Sequence, residues 1–273
     1  YSRKKKTLDS EEEILFNCND MAKDHQYFNL TGINVSPDNK KVAYAIDILS
    51  RRKYTIYVKD LTSGKNLKTK LINTTGSSVW DSGNRFLFYS RKNKKTLRSE
   101  TILRYDTFKD SEKKIFYEAD ETFSVYVSLS KSRDYIYISS YSTLTSEHRF
   151  ISSNKPFDKF KIIESRTKGL EYDIFHFGIF FYIHTNKDDA NNFKLMRTLI
   201  SSPSKKNWTD FIPHKKDILL EDFEPFEKYF TLTERRNGLK MIRVISWDGN
   251  TDYYNEIVLI PKTVNVTLEM TYI

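Results

Sequence analysis

The sequence predicts an all-β fold, a β-propeller of four-stranded antiparallel blades, and three observations carry that expectation. A strand-like segment recurs. Val42-Ala43-Tyr44-Ala45-Ile46, Phe86-Leu87-Phe88-Tyr89, Tyr135-Ile136-Tyr137-Ile138, Phe180-Phe181-Tyr182-Ile183 and Tyr229-Phe230-Thr231-Leu232 start 44, 49, 45 and 49 residues apart. A fixed period of ~40–50 residues marks a stacked or radial repeat whose single unit cannot bury its own apolar face. Composition agrees: 18 Tyr and 19 Phe among 273 residues favour the pleated, half-buried surface of strands. Turn residues separate the segments, and long helical periodicity is missing.

Each unit then reads as four strands in order. A short apolar piece comes first, such as Gly32-Ile33-Asn34-Val35 or Phe123-Ser124-Val125-Tyr126-Val127. The recurring strand is second. A third follows after one turn, at Tyr54–Val58, Thr101–Leu103, Arg149–Ile151, Phe193–Met196 and Lys240–Val244. The fourth, outer segments are Lys70–Ile72, Lys114–Tyr117, Phe160–Ile163, Trp208–Ile212 and Glu256–Ile260. Ser36-Pro37-Asp38-Asn39 suits a tight turn, with Pro at its second position; Asp81-Ser82-Gly83-Asn84, Thr62-Ser63-Gly64 and Asp248-Gly249-Asn250 are similar. Four short strands per unit is the propeller pattern, in which radial packing leaves only short edges. Trp80, Trp208 and Trp247 recur near turns and read as packing anchors whose ring N–H needs an acceptor.

The units fall at about 27–75, 76–121, 122–168, 169–215 and 216–261, with partial blades at 1–26 and 262–273. Glu13-Ile14-Leu15-Phe16 reads as the outer strand of an earlier blade, and Val264-Asn265-Val266-Thr267-Leu268 as the first strand of a later one. With no initiator Met, the chain is expected to be an excised piece of something longer. The one helical candidate is the 22–25 region after Asp20.

Charge and composition narrow the function. The net charge is +9, but Lys and Arg are scattered; the dense runs are Arg3-Lys4-Lys5-Lys6 and Arg91-Lys92-Asn93-Lys94-Lys95. Nucleic-acid binding calls for a compact basic and aromatic footprint, so a solvated surface is expected and no nucleic-acid partner. No apolar run reaches the ~18 residues of a membrane helix, and no membrane partner is expected. Cys18 is the single cysteine, which excludes a disulfide framework and a Cys-based zinc site within the chain; it is expected to pack as a small hydrophobe. His25, His148, His176, His184 and His214 show no metal-ligand spacing, so neither metal nor cofactor is expected. Glu118 with Asp120-Glu121, and Glu221-Asp222 with Glu224, are the candidate acid–base pairs; as loop acids on a basic chain they are expected to face solvent. The five Asn-x-Ser/Thr sequons, at Asn29, Asn34, Asn73, Asn207 and Asn265, are expected to be chance matches. Without a secretion signal the expected compartment is the cytoplasm, with the periplasm as the alternative.

Several stretches together resemble the N-terminal propeller of the prolyl oligopeptidase family of serine peptidases, in particular its oligopeptidase B (protease II) branch. They are Glu13–Asn19 leading into Met21-Ala22, Val35–Asn39, Ala45–Tyr54, Tyr117–Phe123, Thr145–Arg149, Glu171–Ile174, Thr185-Asn186 with Asn192–Leu195, and Glu234–Leu239. In this order they cover nearly the whole chain. The resemblance implies a seven-bladed ring, of which this chain holds five whole blades and parts of the first and last.

The resemblance also implies an α/β-hydrolase domain with a Ser-Asp-His triad, its nucleophile on a Gly-x-Ser-x-Gly elbow. No two of the eight Gly are four apart, so no such elbow lies in these residues and no catalytic residue is expected here. The implied role is a non-catalytic lid that admits short peptides, in a protein that cleaves after Arg or Lys. The implied partners are the missing hydrolase domain and those peptides. The resemblance further implies that an Arg of Ser50-Arg51-Arg52 takes part in charge pairs at the inter-domain hinge. The acid that some relatives carry early in this blade reads here as Tyr27. The plainer reading of Arg51 and Arg52 is a soluble hairpin tip. Two other functions compete: a free-standing scaffold that binds a protein or peptide, and a basic nucleic-acid binder. An incomplete ring would expose strand edges, so self-association is expected of this piece alone.

Overall fold

Alternate side chains of the first two recurring strands enter different apolar clusters, and that alternation sets the architecture. In the computed structural model, which describes residues 1–256, a small two-stranded sheet comes first, β1 (Ser2–Lys4) with β2 (Glu12–Ile14). Helix α1 (Cys18–Ala22) follows, capped by the Asn17 side chain, which accepts from the Asp20 N–H. It lies just ahead of the 22–25 segment expected from sequence.

A seven-stranded sheet comes next: β3 (Asn29–Val35), β4 (Lys41–Asp47), β5 (Tyr54–Asp60), β6 (Leu71–Trp80), β7 (Phe86–Lys92), β8 (Ser99–Asp106) and β9 (Ser111–Tyr117). Three four-stranded sheets complete the described chain. They are β10 (Ser124–Leu129) to β11 (Tyr135–Tyr141), β12 (Ser146–Ser152) and β13 (Lys161–Ile162); β14 (Tyr172–Phe177) to β15 (Phe180–Thr185), β16 (Lys194–Leu199) and β17 (Thr209–Ile212); and β18 (Leu219–Pro225) to β19 (Tyr229–Arg236), β20 (Leu239–Ser246) and β21 (Asp252–Glu256). Every neighbour is antiparallel and follows in chain order. The chain divides into two compact units, Tyr1–Glu171 and Tyr172–Ile273.

In the first unit, Ala43 and Ala45 of β4 pack with Ile56 and Val58 of β5 against Leu87 and Tyr89 of β7. Val42 and Tyr44 point the other way, into a cluster with Phe16 and Leu30. Phe86 and Phe88 turn away from Leu87 and Tyr89 to meet Val125, Val127, Ile136 and Ile138 of the next sheet. Period-two alternation therefore buries both faces of these two recurring strands, the arrangement of sheets stacked face to face. Each fully buried large apolar side chain contributes about 1.5–3 kcal/mol. In the second unit Tyr182, Leu195, Phe223, Phe230 and Leu232 form the equivalent cluster, with Trp247 packed on it. Cys18 packs half-buried on the Phe16 cluster, as a small hydrophobe.

The structure departs from the sequence reading at three strands. Lys70–Ile72 does not end the first unit as a separate outer strand: β6 runs on to Trp80 and pairs with both β5 and β7. Glu13 lies in β2, which pairs with β1 alone. The last outer strand begins at Asp252, ahead of the expected Glu256, and 257–260, Asn265 and the expected strand 264–268 lie outside the described residues.

Candidate functional site

In a four-stranded meander the turn between strands two and three, and the crossover to the next sheet, leave from the same end. In the first unit that end gathers the segments 48–53, 93–98, 118–123, 142–145 and 163–171. Two of them belong to stretches that carried the family resemblance.

The segment 48–53 folds around one carboxylate. Asp47 is buried at the end of β4 and accepts the backbone N–H groups of Leu49 (2.9 Å), Arg51 (3.0 Å) and Arg52 (2.7 Å). Ser50 and Arg52 take left-handed backbone angles to make this turn. The guanidinium groups of Arg51 and Arg52 are exposed, and neither is in an ion pair among the described residues. Lys92 Nζ donates to the Arg52 carbonyl at 2.6 Å, which ties this loop to the next strand pair. Burial raises the Tyr54 phenol, and nearby Tyr27 adds to it, so Tyr27 borders the same loop.

A charged network crosses the neighbouring loops. Arg98 donates to the carbonyls of Phe123 (2.7 Å), Asp120 (3.2 Å) and Glu118 (3.2 Å), and also to Glu100 Oε2 at 3.0 Å. It thus holds the crossover into β10 by its backbone. Arg166, from the following crossover, donates to Glu118 Oε2 at 2.6 Å and to Glu147 Oε1 at 3.0 Å. Its own backbone N–H donates to Glu147 Oε2 at 3.1 Å. Glu118 and Glu147 are each only 4% exposed. The guanidinium lies 3.9 Å from the ring centre of Phe123. Burial alone would raise the Glu147 carboxyl, but the Arg166 hydrogen bonds outweigh it and hold the group below its ordinary value. Burial likewise works against the Arg166 charge, and the two carboxylates overcome it and raise its pKa. Buried charges of this kind need both partners and satisfied hydrogen bonds.

Beside Arg166 opens a cavity of about 460 Å3, lined by Phe123, Leu144, Thr145, Lys168 and neighbouring hydroxyls. Leu144 at its rim is 63% exposed. The arrangement offers apolar contact, hydroxyl donors and one lysine. It has no nucleophile–base pair, since the acids are consumed by ion pairing.

Glu118 was expected to face solvent. Instead it is buried, because Arg166 brings a compensating charge from 48 residues away. Glu221 is likewise paired, with Arg235 (2.6 Å) and Lys240 (3.2 Å) in the second unit. Arg98 and Arg166 escaped the sequence reading, because a lone Arg in a loop carries no periodic signal. The histidines serve as packing and turn groups: His184 meets the Leu220 carbonyl (2.8 Å) and stacks on Phe193, while His176 meets the Gly178 carbonyl (2.9 Å). The three indole N–H groups donate to the carbonyls of Asn34, Pro203 and Phe226, as anchors must. Among the described residues no group of three His, Cys, Asp or Glu could hold a metal ion.

Residues 1–270 match the profile of the prolyl oligopeptidase N-terminal β-propeller domain. The chain is 35% identical over 246 residues to dipeptidyl aminopeptidase BI of Pseudoxanthomonas mexicana, covering 89% of this chain and 34% of that protein. It is 29% identical over 252 residues to protease 2 of Moraxella lacunata, covering 88% and 36%. It therefore spans about a third of the length of these curated relatives. Among solved structures it superposes on oligopeptidase B from Trypanosoma brucei, a closed form with covalently bound antipain, with a TM-score of 0.82 and 26% identity over 94% of this chain and 37% of that one. Oligopeptidase B from Leishmania major matches in fold with the same TM-score, at 24% identity over 88% and 35%.

Proposed function

The chain belongs to the prolyl oligopeptidase N-terminal β-propeller family, and from that membership we propose that it is the non-catalytic lid of a serine oligopeptidase. The intact protein joins it to an α/β-hydrolase domain and cleaves short peptides after Arg or Lys. The propeller works by exclusion: a folded protein cannot enter a covered cleft, whereas a short flexible peptide can. Closure also removes water from the reacting groups and completes the site.

The observation that carries this reading is the family match over 1–270 in a chain that spans about a third of its relatives. The closed form solved for the Trypanosoma brucei relative supports a lid that moves. Arg51 and Arg52 are the proposed hinge contacts. Their backbone is clamped on Asp47 while their charged ends stay exposed, which suits reversible ion pairs with a moving domain, since exposed pairs are individually weak. The test is an assay of the intact protein on one Arg-containing sequence, offered as a free short peptide and as a loop of a folded protein. Cleavage of the free peptide alone is expected. Equal cleavage of both would overturn the lid, and no cleavage of either would overturn the peptidase.

A further inference from the structure

In the second unit, β19 carries a buried acid that the lid reading leaves without a task. Glu234 is 3% exposed. Its Oε2 has no hydrogen-bond partner among the described residues. Its Oε1 lies 3.7 Å from Arg243 Nη1, too far for a hydrogen bond. The residues directly opposite it are apolar, Leu220 of β18 and Met241 of β20. A buried carboxylate without donors resists taking its charge. Burial accordingly raises the Glu234 carboxyl above its ordinary value, against the pull of Arg243, Lys215 and Arg236.

The surrounding groups explain why that pull falls short. Arg243 is engaged by the outer strand β21: its Nε and Nη2 donate to Asp252 at 2.7 and 2.6 Å, and its guanidinium lies 4.9 Å from the Tyr254 ring centre. Arg236 pairs with Asp217 at 3.3 Å. Lys215 stands in the loop ahead of β18, bridged to Ile218. On β18 itself, Glu221 pairs with Arg235 and Lys240, and Asp222 stands opposite Thr233. From the preceding sheet His184 of β15 meets the Leu220 carbonyl. One guanidinium is thus shared unequally between two acids: Asp252 holds it by two hydrogen bonds, and Glu234 by none.

We propose that the proton on Glu234 operates a clasp between β20 and β21. Protonated, Glu234 leaves Arg243 to Asp252, and the clasp is shut. Ionised, it competes with Asp252 for the one guanidinium, and the outer strand loosens. The sign follows from linkage. Once β21 opens, Glu234 reaches solvent and ionises near its ordinary 4.5, whereas the shut clasp keeps the proton to higher pH. The clasp therefore weakens as pH rises above about 4.5, by up to about ten-fold per pH unit for one proton. It weakens in the acid direction when Asp252, which Arg243 holds below its ordinary 3.8, takes up a proton. This inference goes beyond the lid reading and does not depend on it.

The test is amide hydrogen exchange of the intact protein, followed by mass spectrometry from pH ~4.5 to ~8, with rates corrected for their intrinsic pH dependence. Protection of segment 239–256 is expected to fall as pH rises, while β11 and β12 of the first unit serve as the reference and show no such trend. Glu234→Gln keeps the shape without the charge and should make the protection of 239–256 independent of pH. Asp252→Asn, at an exposed side chain, frees Arg243 for Glu234 and should move the transition to lower pH. If Glu234→Gln misfolds, the shift in Asp252→Asn gives the reading. Identical profiles for the parent and Glu234→Gln, protection that rises with pH, the same trend in β11 and β12, or an unmoved transition in Asp252→Asn would each overturn the proposal.

Discussion

Arg166 donates to Glu118, a carboxylate 48 residues earlier in the chain, across 2.6 Å, and the two side chains join consecutive crossovers at one end of the first unit. The same guanidinium also meets Glu147, which Arg149 pairs as well at 2.6 Å, so two cations serve the two buried acids.

Removing that cation leaves the buried Glu118 without its ion-pair partner, while Glu147 keeps Arg149 at 2.6 Å. Arg166→Met is expected to destabilise the fold by roughly 3–5 kcal/mol, the usual result of breaking a buried pair from one side. Adding Glu118→Gln to it should restore much of the loss. Urea denaturation of the single and double variants measures both. An Arg166→Met protein as stable as the parent would remove the network from the stabilising interactions.

Acid sensitivity follows from the same pair. The Glu147 carboxyl is held below its ordinary value when folded, so its contribution is present above the unfolded pKa and is lost as pH falls through the folded one. Asp106 behaves alike: its hydrogen bonds from Arg85 push it down to about 2 from the ordinary 3.8. Stability should therefore decline as pH falls from about 4 towards 2, and Asp106→Asn should flatten that decline. Thermal melts across this range read the slope. An unchanged slope in the variant would contradict the assignment.

Asp47 and its arginines separate structure from the proposed hinge. Asp47→Ala leaves backbone N–H groups of Leu49, Arg51 and Arg52 without their acceptor. A cost of about 1–3 kcal/mol is expected for each that stays buried and unmet. Arg51→Ala and Arg52→Ala, at exposed side chains, should alter stability by less than about 0.5 kcal/mol. If they are hinge contacts, they will still change kcat/KM of the intact protein and its dependence on salt. Variants indistinguishable from the parent in both would exclude that role.

Two glycines with left-handed backbone angles provide a matched comparison. At Gly32 (φ +61°) an added Cβ would lie 1.9 Å from the Gly76 carbonyl oxygen, whereas at Gly238 (φ +80°) it would meet nothing within 4 Å. Gly238→Ala should cost ~1–2 kcal/mol from backbone strain alone. Gly32→Ala adds a backbone clash and should cost several-fold more, or prevent folding. Denaturation midpoints, with soluble yield, decide between them.

The five recurring strands became β4, β7, β11, β15 and β19, each flanked by partners in chain order. They were legible because period-two alternation and turn residues are local signals. The join at β6 was not. The expected boundary between 75 and 76 falls inside it, and the left-handed angles of Asn73 and Gly76 (φ +57° and +94°) are absorbed as irregularities inside one strand. The candidate site was half legible. The stretches holding Glu118 and Glu147 drew notice, but the burial of these acids depends on Arg166, which no local pattern marks.

β6 makes the first two blades share a beam. Thr74 pairs with Tyr54 on one side and Arg91 on the other, so one strand carries the pairing from one repeat to the next, through a register irregularity on each side. The period seen in the sequence is thus not the period of mechanical independence. Peeling the first blade away would tear the edge of the second, and their amide protons should exchange with solvent as one cooperative block. The evolutionary counterpart is a constraint on shuffling: neither of these two blades can be excised, duplicated or swapped at the sequence boundary without cutting a strand that its neighbour needs.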